Sequence, residues 1–187
     1  MVDIKILNEN ENTIEFLLKS SVRFANALRR YAMSRVPVLA IDKVTFYENR
    51  TALFDEYIAH RIGLIPIKDA DIKAEGVGFY LDAIGPKIVY SEDLQCNNEK
   101  TGVAIKGIPI ITLAEGQSLR LEGFLKRGIG REHMKFQASI TAYKESSDGF
   151  QFFIESIGQM SARNVLIKAL KEMHNDLEQL EQSLEKF

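Results

Sequence analysis

The chain has 187 residues, 45% hydrophobic and 27% charged, with a formal net charge of −2. That suffices for one ordinary domain or two small ones with a real core, and it excludes a global electrostatic pull toward nucleic acid or an anionic membrane. No run of about 18 apolar residues occurs, so no membrane-spanning helix is expected.

The start, MVDIKILNEN, lacks the basic, apolar, then small-residue order of a secretory signal. Cys96 is the lone cysteine, which rules out an intrachain disulfide and a paired-cysteine metal knuckle. A cytoplasmic protein is expected. Glycine is absent from the first 62 residues, whereas ten of the twelve glycines and three of the four prolines lie between Gly63 and Gly130. These residues favour turns, so two regular ends should flank a turn-rich, β-leaning middle.

In chain order, NTIEFLLKS alternates Ile14, Phe16 and Leu18, the period of a half-buried strand. The next stretch, SSVRFANALRRYAMSRVP, predicts a helix. Ser20 or Ser21 can cap it, and Pro37 forces the preceding residue out of helical geometry. Its apolar side chains, from Val22 and Phe24 through Leu28 to Tyr31 and Met33, cover more than one face. Such a helix needs cover on two sides: its own sheet and a partner. FDEYIAHRIG predicts a short helix capped at Gly63. Leu119, Leu121 and Leu125, then Phe136, Ala138, Ile140 and Ala142, predict strands, as do Phe150, Phe152 and Ile154 near the end.

The last segment predicts a helix of about 27 residues, roughly 40 Å long. Leu166, Leu170, Met173, Leu177, Leu180, Leu184 and Phe187 follow at steps of 4, 3, 4, 3, 4 and 3. That is the 3.5-residue period of helices packed lengthwise. Asp176 and its polar neighbours are expected to face water.

GIGREHMKF, Gly128 to Phe136, mixes glycines with charge. It lacks the third glycine of a dinucleotide loop and the Gly-Lys-Ser/Thr of a phosphate loop. Two further readings stay open. One is a small enzyme using His60, Arg61 or His133. The other is a nucleic-acid-binding module using Lys126, Arg127, Arg131, His133 and Lys135, although Glu132 interrupts that cluster and interleaved aromatics are missing. A Gly-rich turn with a solvated or protein-facing charged surface is favoured over both.

Three segments, RFANALRRYAMSRVPVLAIDKVTFYENRTALFDEYIAHRIGLIPI, RGIGREHMKF and FFIESIGQM before a long helix, together resemble a family of RNA polymerase subunits. The family comprises an archaeal member designated D, the eukaryotic third-largest subunit and the N-terminal domain of bacterial α. The resemblance implies an α+β, discontinuous two-domain, α-subunit-like fold. Residues 1–45 and 145–187 would form a dimerisation domain of antiparallel sheet plus two helices, and 46–144 an inserted β-rich domain. It implies a non-catalytic assembly subunit of DNA-directed RNA polymerase, active in transcription. Phe24, Leu28, Tyr31, Leu166, Leu170, Met173, Leu177, Leu180 and Leu184 would face subunit L. Arg29, Arg30, His60, Arg61, Arg131, Glu132 and His133 would contact other subunits, namely the small subunits N and P and the second-largest catalytic subunit. No direct nucleic-acid contact is expected.

Some archaeal members carry a cysteine-rich iron–sulfur module, and some eukaryotic ones a zinc loop. Here Lys144 to Gly149 is a short link and Cys96 stands alone. One thiolate holds neither a cluster nor a tetrahedral zinc, so no cofactor is expected.

Overall fold

The alternating front segment forms a hairpin in the computed structural model, which describes residues 2–70 and 72–186. Strand β1 (Asp3–Glu9) pairs antiparallel with β2 (Thr13–Lys19). The Asn10 carboxamide oxygen shapes the turn by accepting from the Asn12 and Thr13 amides at 2.9 and 2.7 Å. Helix α1 (Val22–Ser34) follows, and Ser21 caps it by accepting from the Phe24 amide. Then come β3 (Pro37–Asn49), α2 (Asp55–Gly63), β4 (Gly78–Ile84), β5 (Lys87–Tyr90), β6 (Gln95–Cys96), β7 (Pro109–Leu113) and β8 (Ser118–Ile129). Strands β9 (Ser139–Ser146) and β10 (Gly149–Ser156) lead into α3 (Ala162–Leu184).

These elements fall into two units. The first contains residues 1–37, 129–133 and 137–187, and the second 38–128 and 134–136. The fold is α+β, with antiparallel sheets and, among the described residues, three α-helices. The expected boundaries at 45/46 and 144/145 fall inside β3 and β9. Strand pairing, which local composition does not reveal, decides the division. All of β9 is zipped to β10, from Ser139 opposite Ser156 to Ser146 opposite Gly149.

In the first unit the sheet order is β1-β2-β10-β9. Phe16, Phe152 and Tyr143 lie opposite one another across three strands. The Phe16 and Phe152 rings stack at 5.0 Å, and Tyr143 meets Phe152 at 5.1 Å. This aromatic ladder is the cross-strand glue of the sheet. Helix α3 packs on β2 and β10, and α1 on β9.

The pattern predicts Ile140 and Ala142 inside, but the phase of β9 is the opposite. Ser139 and Thr141 are buried, while Ile140 and Ala142 are exposed. The Ser139 hydroxyl donates to the Ala32 carbonyl at 2.9 Å and lies 3.0 Å from that of Thr141. Small side chains there admit α1 closely, and their polar atoms are satisfied.

The second unit has a sheet of order β3-β8-β4-β6 and the pair β5-β7. Its core gathers Ile41, Ile58, Ile62, Phe79, Leu81 and Leu121. Helix α2 does not end in a glycine cap. Gly63 is its last helical residue, and Leu64, in right-handed geometry, caps it through its amide to the His60 carbonyl. Asp42 and Lys135 form an ion pair at 2.6 Å in this unit, and the ammonium holds the Asp42 carboxyl below its ordinary value.

The aromatic ladder yields a stability prediction. Phe152→Ala should cost about 3–5 kcal/mol in chemical denaturation, and Phe153→Ala, on the other face of the same strand, markedly less. Equal losses would show that the ladder does not hold the sheet.

Candidate subunit interface

Helix α3 carries two apolar stripes, and its own unit uses only one. Ala162, Val165, Leu166 and Ala169 are buried, at the i, i+3, i+4, i+7 spacing of one helix face. Leu170, Leu177, Leu180 and Leu184 stay in water, Leu177 being 63% and Leu184 68% exposed. Met173 is half-buried. The steps from Leu170 to Leu177 to Leu184 keep these side chains on one side of the helix. Leu166, expected on the partner-facing seam, is instead 5% exposed in the unit's own core, because the helix still lies over the sheet there. Phe187 lies outside the described residues.

On α1 the inward face is Ala25, Leu28 and Ala32. Leu28 is 1% exposed, which corrects its expected place at the partner surface. Phe24 and Tyr31 are half-buried. Tyr31 also has a task inside its own unit. Its hydroxyl and the Arg35 guanidinium both donate to Asp176 Oδ2 at 2.7 Å, and Arg35 stacks 5.6 Å from the Tyr31 ring centre. This clamp ties the end of α1 to the second half of α3 and holds the exposed leucines in place. Asp176 is therefore no mere solvent-facing residue. The only sequence signal for the clamp is the one-turn spacing of Tyr31 and Arg35.

At the other end of α3, Arg163 donates to both carboxylate oxygens of Glu9, through Nε at 2.6 Å. That hydrogen bonding holds the Glu9 carboxyl below its usual value. Strand β1, which the alternation reading passes over, is an exposed edge. Its Ile4 and Ile6 lie opposite Leu18 and Phe16, on the helix-bearing face, and both are exposed. They extend the apolar surface beside α3.

The remaining candidates are dispersed. Arg29 donates to Asn26 on its own helix at 3.1 Å, and Arg30 is exposed. His60 and Arg61 are exposed on α2, where Arg61 donates to the Pro109 carbonyl at 2.5 Å. Arg131, Glu132 and His133 are exposed on the turn after β8. That turn is built onto α1: the Arg131 amide donates to the Ser34 carbonyl at 3.0 Å. A Cβ on Gly130 would lie 2.5 Å from the Met33 carbonyl oxygen, and one on Gly128 would meet the Phe136 ring at 2.7 Å. Both glycines of GIGREHMKF are thus required by close packing. The turn crosses between the units, with Ile129 to His133 in the first and Gly128 and Met134 to Phe136 in the second.

Three members of the basic cluster, Lys126, Arg127 and Lys135, are engaged internally. Arg127 reaches Asp69 at 2.8 Å and the Ala70 carbonyl at 2.7 Å. Lys135 pairs with Asp42, and Lys135 and Lys126 approach the Phe136 ring at 5.2 and 5.8 Å. Cys96 is half-buried on β6. Among the described residues, no group of three His, Cys, Asp or Glu is placed to hold a metal ion, and no helix is long and apolar enough to cross a membrane.

Residues 39–145 match the RNA polymerase Rpb3/RpoA insert domain family. Over 189 aligned residues the chain is 41% identical to DNA-directed RNA polymerase subunit Rpo3 of Methanocaldococcus jannaschii, covering 99% of this chain and 98% of that one. The chain belongs to the archaeal Rpo3 family. It is also 45% identical to Rpo3 of Pyrococcus horikoshii over 154 residues, and 39% identical to that of Archaeoglobus fulgidus over 161. Each of these matches spans 77% of this chain, with 60% and 61% of the respective relative. The matched insert begins in β3 and ends in β9, and the antiparallel α+β architecture is consistent with the α-subunit-like fold.

The clamp generates a titration prediction. Hydrogen bonding to the Asp176 carboxylate, with burial and its negative charge, raises the Tyr31 pKa above the ordinary 10.0. The neutral phenol is thus favoured in the folded state. Its contribution is complete below pH 10 and is lost as pH rises through the folded value. Tyrosinate absorbance of the wild type minus that of Tyr31→Phe should therefore titrate above pH 10. Asp176→Ala should return that increment to the ordinary range. A Tyr31 increment centred at or below pH 10 in the wild type would contradict the clamp.

Proposed function

We propose that this chain is a non-catalytic assembly subunit of an archaeal DNA-directed RNA polymerase. It joins the small subunit L through the outer faces of α1 and α3. The heterodimer then receives the small subunits N and P and the second-largest catalytic subunit, with Arg29, Arg30, His60, Arg61, Arg131, Glu132 and His133 as contact residues. The protein acts in the cytoplasm and, with one cysteine in the chain, carries neither iron–sulfur cluster nor zinc.

One observation carries this reading: the row Leu170, Leu177, Leu180 and Leu184 is exposed on a helix whose other stripe is already buried. Burying such side chains is worth about 1.5–3 kcal/mol each, and a continuous apolar row in water marks an association surface. Its helical form and seven-residue repeat fit lengthwise packing with a partner helix. The inward engagement of Arg127 and Lys135 argues against a nucleic-acid-binding module.

Leu177→Asp tests the proposal by placing an unpaired charge in the buried seam. Leu177 touches water in the free chain, so the variant should fold and melt like the wild type. On co-expression with L, heterodimer measured by light scattering should weaken by about a hundredfold or more. Wild-type yield and mass of the heterodimer would refute this interface.

A further inference from the structure

The second unit bears a cluster of exposed aromatic rings that its own core does not use. Phe54 and Tyr57, 72% and 65% exposed at the start of α2, stack at 6.5 Å. Phe54 shares an open recess of about 510 Å³ with Tyr47, Glu48, Asp55 and Glu56. The Tyr47 hydroxyl donates to Glu122 at 2.9 Å, while the Arg120 guanidinium lies 5.8 Å from its ring centre. Glu48, Asp55 and Glu56 thus line the recess beside Tyr47 and Phe54, with Glu122 on the Tyr47 hydroxyl; Glu48 accepts from Ser118 at 2.9 Å and Asp55 from the Asn49 carboxamide at 2.7 Å. The nearby cations are Arg120, Arg50, which pairs with Glu48 at 2.7 Å, and Arg61, one turn after Tyr57 on α2 and turned to the Pro109 carbonyl.

We propose that this aromatic and acidic surface docks a protein segment bearing arginine or lysine. Aromatic faces attract cations through their quadrupole, and a guanidinium stacks on a ring while its N–H groups reach carboxylates. Arg120 over Tyr47 already shows the ring contact within the chain. The excess of carboxylates disfavours the phosphates of a nucleic acid. The inference rests on the assembly reading above but assigns a second surface with its own chemistry.

The test uses the full chain bound to L, with the purified remaining subunits of the same polymerase as the probe. Phe54→Leu/Tyr57→Leu keeps apolar bulk and removes the π faces; Phe54→Ala/Tyr57→Ala removes both. Both pairs should weaken uptake of the remaining subunits about tenfold or more, with L binding and melting temperature unchanged. Glu56→Lys should weaken it at about 0.1 M salt and not at about 1 M. Wild-type uptake by the leucine pair would overturn the inference, pointing to an apolar partner if the alanine pair fails and to no docking if it does not. Binding of a fluorescent single-stranded oligonucleotide that the alanine pair abolishes would overturn it in favour of base stacking. A wild-type chain that takes up no L would instead refute the assembly reading itself.

Discussion

The length of α3 is the constraint on which the rest of the first unit depends. Its 23 residues extend roughly 35 Å, whereas strands of seven and eight residues span roughly 25 Å. One sheet cannot cover the whole helix. The half that begins at Ala162 settles on β2 and β10, and the half that ends at Leu184 has no apolar floor of its own. The clamp of Tyr31, Arg35 and Asp176 stabilises the helix where the sheet gives out, and does so with polar groups. The leucine row beyond is left ordered and wet. An ordered apolar surface loses less entropy on binding than a disordered one, so the fold holds the proposed interface ready-formed.

The glycine-bearing turn Gly128 to Phe136 serves the same economy. It carries conspicuous charge, but its glycines answer to the Met33 carbonyl and the Phe136 ring, and its backbone bonds to the end of α1. The turn returns the chain from the second unit to the first against the helix that bears half of the proposed subunit interface. Family membership and the packing of the chain thus agree: the insert and the helical unit are separate compact units on one discontinuous chain.

Much of this was legible from local periodicity. The alternation in β2 and β10, the serine cap of α1 and the seam of α3 each depend on neighbours within one element, where side-chain spacing is informative. Long-range pairing was not legible. Ser139 and Thr141 occupy the buried side of β9 because α1 approaches closely there, and an alternation rule that ranks by hydrophobicity chose Ile140 instead. Leu28 and Leu166 look identical in pattern to Leu177, and only the extent of the sheet sorts the core residues from the exposed ones. Glu9 and Arg163 are 154 positions apart, and no spacing rule joins them. The unit boundaries lie beside the start of β3 and the end of β8, where long-range pairing begins and ends, rather than at the residues 45 and 145 that the family resemblance suggested.

The most direct measurement of the central claim is hydrogen–deuterium exchange on α3, for the chain alone and with purified subunit L. If the second half of the helix is the interface, amides from Leu170 to Leu184 should slow by about tenfold or more on adding L, while those from Val165 to Ala169, already packed on the sheet, change little. Equal exchange of residues 170–184 with and without L, at concentrations where the two proteins form a complex, would contradict the account.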